Sequence, residues 1–222
     1  MKFAAITILS VAAFMSACAD PAANKPKATT SAPSTANSPA AANANPSSVD
    51  ATKAGGTAIA ITPENSKIEF TGSKVTGKHD GGFKKFTGTI DVVGEKAETS
   101  TVKIDIDMAS LFTDTDGLTK HMLTADFFEV EKFPKATFVS TKIVPPAGGA
   151  GSFNVTGDFE IHGVKKSITF PATIRIRPEL VSVLAEFSIN RKDFGIIYAG
   201  KADDLIRDDV VIRIELMVNR TK

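Results

Sequence analysis

Three histidines, His79, His121 and His162, are the side chains best suited to proton transfer or metal binding near neutral pH. No two of them stand at the short spacing by which one helix or turn offers two ligands to one ion. A metal-assisted enzyme would have to gather His121, His162 and Asp126 from separate elements. That is the catalytic alternative the chain leaves open. Gly72-Ser73-Lys74-Val75-Thr76-Gly77-Lys78-His79 comes near a phosphate-binding loop. It fails at His79, where magnesium coordination needs a hydroxyl, and glycines and a strand pattern follow instead of a helix. There is no G-x-S-x-G, and Cys18 is the only thiol. The residues point away from catalysis: no catalytic set, no resident metal and no cofactor are expected.

Cys18 has a different chemistry. Lys2 precedes an apolar run from Phe3 to Met15, the pattern of an export signal and too short to span a bilayer. Met15-Ser16-Ala17-Cys18 resembles the lipobox of bacterial lipoproteins, in which the cysteine becomes the lipidated N-terminus. Ala17-Cys18-Ala19 also fits an ordinary signal-peptide cleavage site. The lipoprotein reading makes residues 1–17 a signal peptide, Cys18 a membrane anchor and the location the periplasm. Ala19 resembles the outer-membrane sorting pattern of two-membrane bacteria. Residues 18–55 then form the anchor and a linker of Ala, Pro, Ser, Asn and Thr. Such a stretch buries too little apolar area to offset its ordering entropy, so a disordered tether is expected. From residue 19 to residue 55 it spans on the order of 120 Å when extended.

Residues 56–222 are textured differently. Apolar residues alternate with polar ones in run after run, the signature of half-buried strands. Ile68 and Phe70; Phe86, Gly88, Ile90 and Val92; Val102, Ile104 and Ile106; Val155, Gly157, Phe159 and Ile161; Phe170, Ala172, Ile174 and Ile176; Val181, Val183, Ala185 and Phe187; and Ile212, Ile214, Leu216 and Val218 each mark one face. With strands near Thr57–Thr62 and Thr137–Val144, eight or nine are expected. Turns are predicted at Asp80-Gly81-Gly82, Gly94-Glu95, Pro145 to Gly151 and His162-Gly163. One short helix is predicted from Asp116, with Leu118, Met122 and Ala125 on one face.

One helix cannot cover so much apolar sheet, so the sheet must close on itself. The fold class is all-β: an antiparallel lipocalin-like barrel of about eight strands with one short helix, preceded by a disordered tether. A membrane barrel, apolar face outward, needs aromatic girdles rich in Trp and Tyr. This chain has 15 Phe, one Tyr and no Trp. The apolar face therefore points inward. Gly88, Gly157, Ala172 and Ala185 interrupt that face with small side chains, and aligned gaps would leave an apolar lumen. The predicted lumen is lined by Phe70, Phe86, Gly88, Ile90, Ile104, Phe138, Val155, Gly157, Phe159, Phe170, Ala172, Ile174, Val183, Ala185 and Phe187. The alternative is that the glycines only permit bending and the barrel is filled. Balanced charge, 26 Lys+Arg against 25 Asp+Glu, removes the electrostatic footprint of a nucleic-acid binder.

Several runs, in order, resemble the YceI-like family of periplasmic lipid-binding proteins: Ser66–Phe70, His79–Ile90, His121–Phe138, Val155–Phe170 and Arg191–Gly195. The resemblance implies a barrel that binds polyisoprenoids or other long amphiphiles. An isoprenoid quinone is one such ligand, because some relatives accompany cytochrome b561-type membrane proteins. His121, Asp126, His162, Arg191 and Asp193 lie in or at these runs and are the implied head-group contacts. The rival to lipid carriage is a filled barrel serving as accessory subunit of a membrane oxidoreductase.

Overall fold

The computed structural model describes residues 20–34, 56–145 and 152–220. The expected signal peptide, Cys18 and residues 35–55 lie outside the described residues. The strands are β1 (Thr29–Ser31), β2 (Thr57–Ile61), β3 (Ser66–Lys74), β4 (Gly77–Phe83), β5 (Phe86–Val92), β6 (Thr101–Asp107) and β7 (Leu111–Thr113). After helix α1 (Asp116–Met122) come β8 (Lys135–Val144), β9 (Ser152–Ile161), β10 (Val164–Ile176) and β11 (Leu180–Asn190). A small hairpin, β12 (Gly200–Lys201) and β13 (Asp204–Leu205), precedes β14 (Asp209–Asn219).

The main sheet runs β2-β5-β6-β8-β9-β10-β11-β14-β3-β4-β7, antiparallel throughout. Its two ends are joined by the chain itself. β4 passes into β5 across Lys84 and Lys85, and β6 into β7 across Met108–Ser110. The Lys84 N–H donates to the Ser110 carbonyl at 3.1 Å and the Lys85 N–H to Ser110 Oγ at 2.9 Å, which stitches the two bends together. β2 likewise passes into β3 across 62–65, and counting these three bent pairs as one strand each reduces the eleven strands of the path to eight staves that return to their start. The sheet holds twelve strands where about eight are expected, because three staves are broken by bends and β1 adds another; the all-β class is as expected.

Period-two alternation explains the register. Ile104 faces Phe138, Phe138 faces Phe159, Phe170 faces Val155, and Val183 faces Ile174, so one apolar set lines the inside. Removing this surface from water is the main stabilising contribution, roughly 25 cal/mol per Å² of apolar area. The β9–β10 hairpin turns on His162 (φ 53°) and Gly163 (φ 71°), two left-handed residues whose twist matches the strands. α1 and residues 123–134 cover one end of the barrel.

Three expectations are corrected. Asp80-Gly81-Gly82 is not a turn but the middle of β4; the turn lies at Val75-Thr76. A Cβ on Gly81 would stand 2.5 Å from both the Phe112 carbonyl oxygen and Phe70 Cζ, so these glycines serve close approach. The helix ends at Met122, and Ala125 lies beyond it.

The third correction concerns residues 20–34, expected to be part of a disordered tether. Beyond the short stretch where β10 and β11 pair (Thr173–Ile176 with Val181–Leu184), the two strands part, and the N-terminal segment enters the gap. β1 pairs antiparallel with Ser167–Thr169 of β10. The Ala28 N–H donates to the Ser188 carbonyl at 2.8 Å, and the Ser188 N–H to the Pro26 carbonyl at 2.9 Å. Lys25 pairs with Glu186 and Lys27 with Asp209. The segment needs little apolar area because unpaired strand edges hold its backbone. Ala28 still joins the core.

Candidate functional site

Inside the barrel lies a cavity of about 420 Å³, within the range of small-molecule sites. Its walls are Phe70, Phe83, Ile104, Ile106, Phe138, Val155, Phe159, Phe170, Val183, Ala185, Phe187, Ile212 and Ile214, with further apolar side chains of the same strands. Phe170 stacks on Phe187 with ring centroids 4.1 Å apart, and Phe138 tilts against Phe170 at 5.7 Å. All polar lining residues except Glu69 gather at one end: Ser73, Lys74, His79, His121, Arg191, Lys201 and Asp204. That end is built by the β3–β4 turn, α1 and the loop from Arg191 to Asp208. Exposed Lys201 marks its opening to solvent. Ile61, Val92, Val181 and Val218 are almost wholly buried, and none of them lines the cavity.

Arg191 organises the rim. Only 5% exposed, it donates from Nη1 to the Ile196 carbonyl at 2.7 Å, from Nε to the Arg207 carbonyl at 3.1 Å and from Nη2 to the Ile206 carbonyl at 3.3 Å. Burial pushes the guanidinium below its ordinary value, and Asp208 pulls it back up. Its donors hold a loop in place, and that loop brings Phe194, Ile196, Tyr198 and Ile206 to the cavity. Across the mouth, His121, Phe127 and Tyr198 form a cluster with centroid separations of 5.1–5.2 Å. His121 Nε2 also meets Asp126 Oδ2 at 2.7 Å. Ser73 Oγ is buried and has no hydrogen-bond partner among the described residues; on β3 it shares the face of Glu69 and Thr71, opposite Phe70.

Residues 60–218 match the YceI-like domain family. The chain belongs to the YceI-like family. Among curated relatives, a UPF0312 protein of Pseudomonas putida is 34% identical over 138 residues, 60% of this chain and 71% of that protein. The crystal structure of Burkholderia cenocepacia BcnA superposes with a TM-score of 0.60 at 28% identity, covering 68% of this chain and 95% of that one. A polyisoprenoid binding domain from Saccharophagus degradans superposes with a TM-score of 0.59 at 18% identity, covering 74% and 98%. At that identity the likeness concerns the fold.

Ten of the predicted lumen residues line the cavity of this YceI-like barrel: Phe70, Ile104, Phe138, Val155, Phe159, Phe170, Ile174, Val183, Ala185 and Phe187. Phe86, Gly88, Ile90, Gly157 and Ala172 do not. The two glycine gaps are already filled. A Cβ on Gly157 would stand 2.4 Å from Phe138 Cζ, and one on Gly88 would stand 2.4 Å from the Lys103 carbonyl and 3.2 Å from Ile61 Cδ1. Phe86, Ile90 and Ala172 are buried in the core away from the lumen. Of the residues expected at the head group, His121 and Arg191 line the cavity, whereas Asp126, His162 and Asp193 do not. Asp126 instead partners His121. His162 packs edge-on against Phe133, and its Nδ1 meets the Phe194 carbonyl at 3.3 Å.

His121 and His162 therefore serve different neighbours. Among the described residues no group of three or more His, Cys, Asp or Glu side chains is placed to hold a metal. The near-phosphate-loop motif is the β3–β4 hairpin, with no helix behind it. Sequence reasoning missed the loop residues Phe194, Ile196, Tyr198 and Ile206. A cluster of apolar residues without period two between Arg191 and Arg207 was the available signal.

Proposed function

We propose that this YceI-like barrel binds and carries one long amphiphile, a polyisoprenoid or isoprenoid quinone, at the cell envelope, and is a binding protein rather than a catalyst. The observation that carries the reading is the cavity: apolar along its length, with its polar lining residues, Glu69 apart, gathered at one end. An isoprenoid chain has the same division. Each ligand methylene taken from water contributes roughly 0.8 kcal/mol; with association costs of about 4 kcal/mol or more, a micromolar Kd, about 8 kcal/mol, takes roughly fifteen or more buried carbons. An open cavity of this size disfavours the filled-barrel alternative. The polyisoprenoid binding domain of Saccharophagus degradans shares the fold that carries this cavity.

The polar side chains at the mouth, Lys74, His121 and Lys201, are placed to receive the head group. Arg191 is occupied with carbonyls and acts by holding the rim. In this reading Cys18 carries the lipid anchor and the protein works in the periplasm. The test is to purify the protein from the membrane fraction, extract it and identify bound lipid by mass spectrometry. Near-stoichiometric isoprenoid is expected. A reproducibly empty barrel that also ignores added polyprenol overturns the proposal.

A further inference from the structure

We infer that the open end of the barrel docks on a lipid bilayer, with the cavity mouth facing the membrane. The inference rests on the lipid-carrying reading and adds where and how the lipid enters. Among the described residues, five large apolar side chains are exposed: Val75, Leu184, Ile197, Leu205 and Met217. Leu184 and Met217 sit on the outer wall, on the neighbouring strands β11 and β14. The other three are gathered at the mouth. The Val75 N–H donates to the Leu205 carbonyl at 3.2 Å, and Lys74 bridges to Ile206. The Ile206 N–H donates to the Ala199 carbonyl at 2.9 Å, which ties in the stretch carrying Ile197. Val75 is 55% exposed, Ile197 71% and Leu205 49%. Gly200, Lys201, Asp204 and Ile206 of the same loop line the cavity. Apolar tips ringing the entrance of an apolar cavity have the form of an interfacial docking surface.

A second observation selects a membrane rather than a protein as the occupant. Residues 20–34 are not a slack tether. Asp20 pairs with Arg207 at 3.5 Å, Ala22 is buried, and Lys25 and Lys27 are paired to β11 and β14. Arg207 is two residues from Leu205, and its N–H donates to the Ser73 carbonyl at 2.8 Å. Cys18 stands two residues before Asp20. Two residues reach at most about 7 Å, so a lipid attached at Cys18 enters the bilayer beside the mouth. The anchor and the apolar rim then address the same surface. The pinned segment fixes the barrel's orientation, and an isoprenoid chain passes from bilayer to cavity without crossing water.

The test uses the full chain, expressed with its own N-terminal residues, purified and mixed with vesicles of phosphatidylethanolamine and phosphatidylglycerol. Hydrogen exchange is compared with and without vesicles. Amides in 74–77 and 196–206 should slow about fivefold or more, while 62–65 and 177–180 at the opposite end stay unchanged. The double substitution Ile197→Ser with Leu205→Ser, at exposed positions that the fold does not need, should abolish the slowing. A protein that does not sediment with vesicles, or one protected elsewhere, overturns the docking. The same samples are extracted for lipid. A loaded barrel with an unprotected rim removes the docking and leaves the carriage; a protected rim on a barrel that refuses polyprenol removes the carriage and leaves the docking.

Discussion

Ala185 stands on β11 between Leu184 and Glu186, both of which face outward, and it meets the cavity where Phe170 and Phe187 stack. Replacing it with phenylalanine adds six ring carbons on the lumen side. If each displaces one ligand carbon, the loss is about 5 kcal/mol at roughly 0.8 kcal/mol per methylene, or three to four decades in Kd. Neighbouring rings can shift, so a tenfold loss is the least expected. The substitution fills space that is open, so the fold should persist, with a change of about 1–3 kcal/mol at most in unfolding free energy. Titration with a fluorescent polyprenol measures the affinity, and urea unfolding followed by circular dichroism measures the fold. A folded Ala185→Phe variant that binds within a factor of about three of the unaltered protein would show that the chain does not lie in this cavity.

Gly157→Ala gives the opposite pattern: its Cβ would stand 2.4 Å from Phe138 Cζ and 2.7 Å from the Val139 carbonyl, so about 1–3 kcal/mol of stability should be lost in urea titrations. His121→Ala removes a polar side chain from the mouth; affinity for a polyprenol should fall about fivefold or more relative to a hydrocarbon of equal length. Equal losses for both ligands would refute the head-group role. Lys25, above all, holds the Glu186 carboxyl below its ordinary value; burial opposes this, and Arg213 adds to it. The folded value is thus the lower one, so the tie is at full strength above the ordinary Glu range of about 4.3. It is lost as pH falls through the depressed value. Exchange protection at Ala28 should be flat from about pH 5 to pH 8 and drop below about pH 4; a decline with rising pH contradicts the assignment.

The barrel was legible because alternation records which side of a strand meets water, and Phe70, Ile104, Phe159 and Val183 obey it without exception. The lumen was less so. A glycine on an inward face reads the same whether the space beside it is empty or holds a neighbour's ring, and at Gly157 it holds Phe138. The rim was hidden because Arg191 organises it through carbonyl oxygens, which have no side-chain signature. The docked segment was hidden for a related reason: backbone hydrogen bonds to β10 and β11 hold it, and Pro26, Lys27 and Ala28 look like any linker. Its trace lies in the partners. Ser188 is 1% exposed although Phe187 and Ile189 on either side are buried too, and Asp158, 3% exposed, accepts from the Ser34 N–H at 3.0 Å.

The stave drawn from residues 26–31 has a kinetic consequence. It leaves the ribosome before any other strand yet fits between two of the last to be made; its Lys25–Glu186 tie joins residues 161 apart in sequence. Contacts of such separation form late, because the intervening chain must first be ordered. A nascent barrel is therefore expected to pass through a stage with a slit between β10 and β11, wide enough at backbone level to admit a strand. Pulse-labelled exchange during refolding should find the Ala28 amide among the last to become protected.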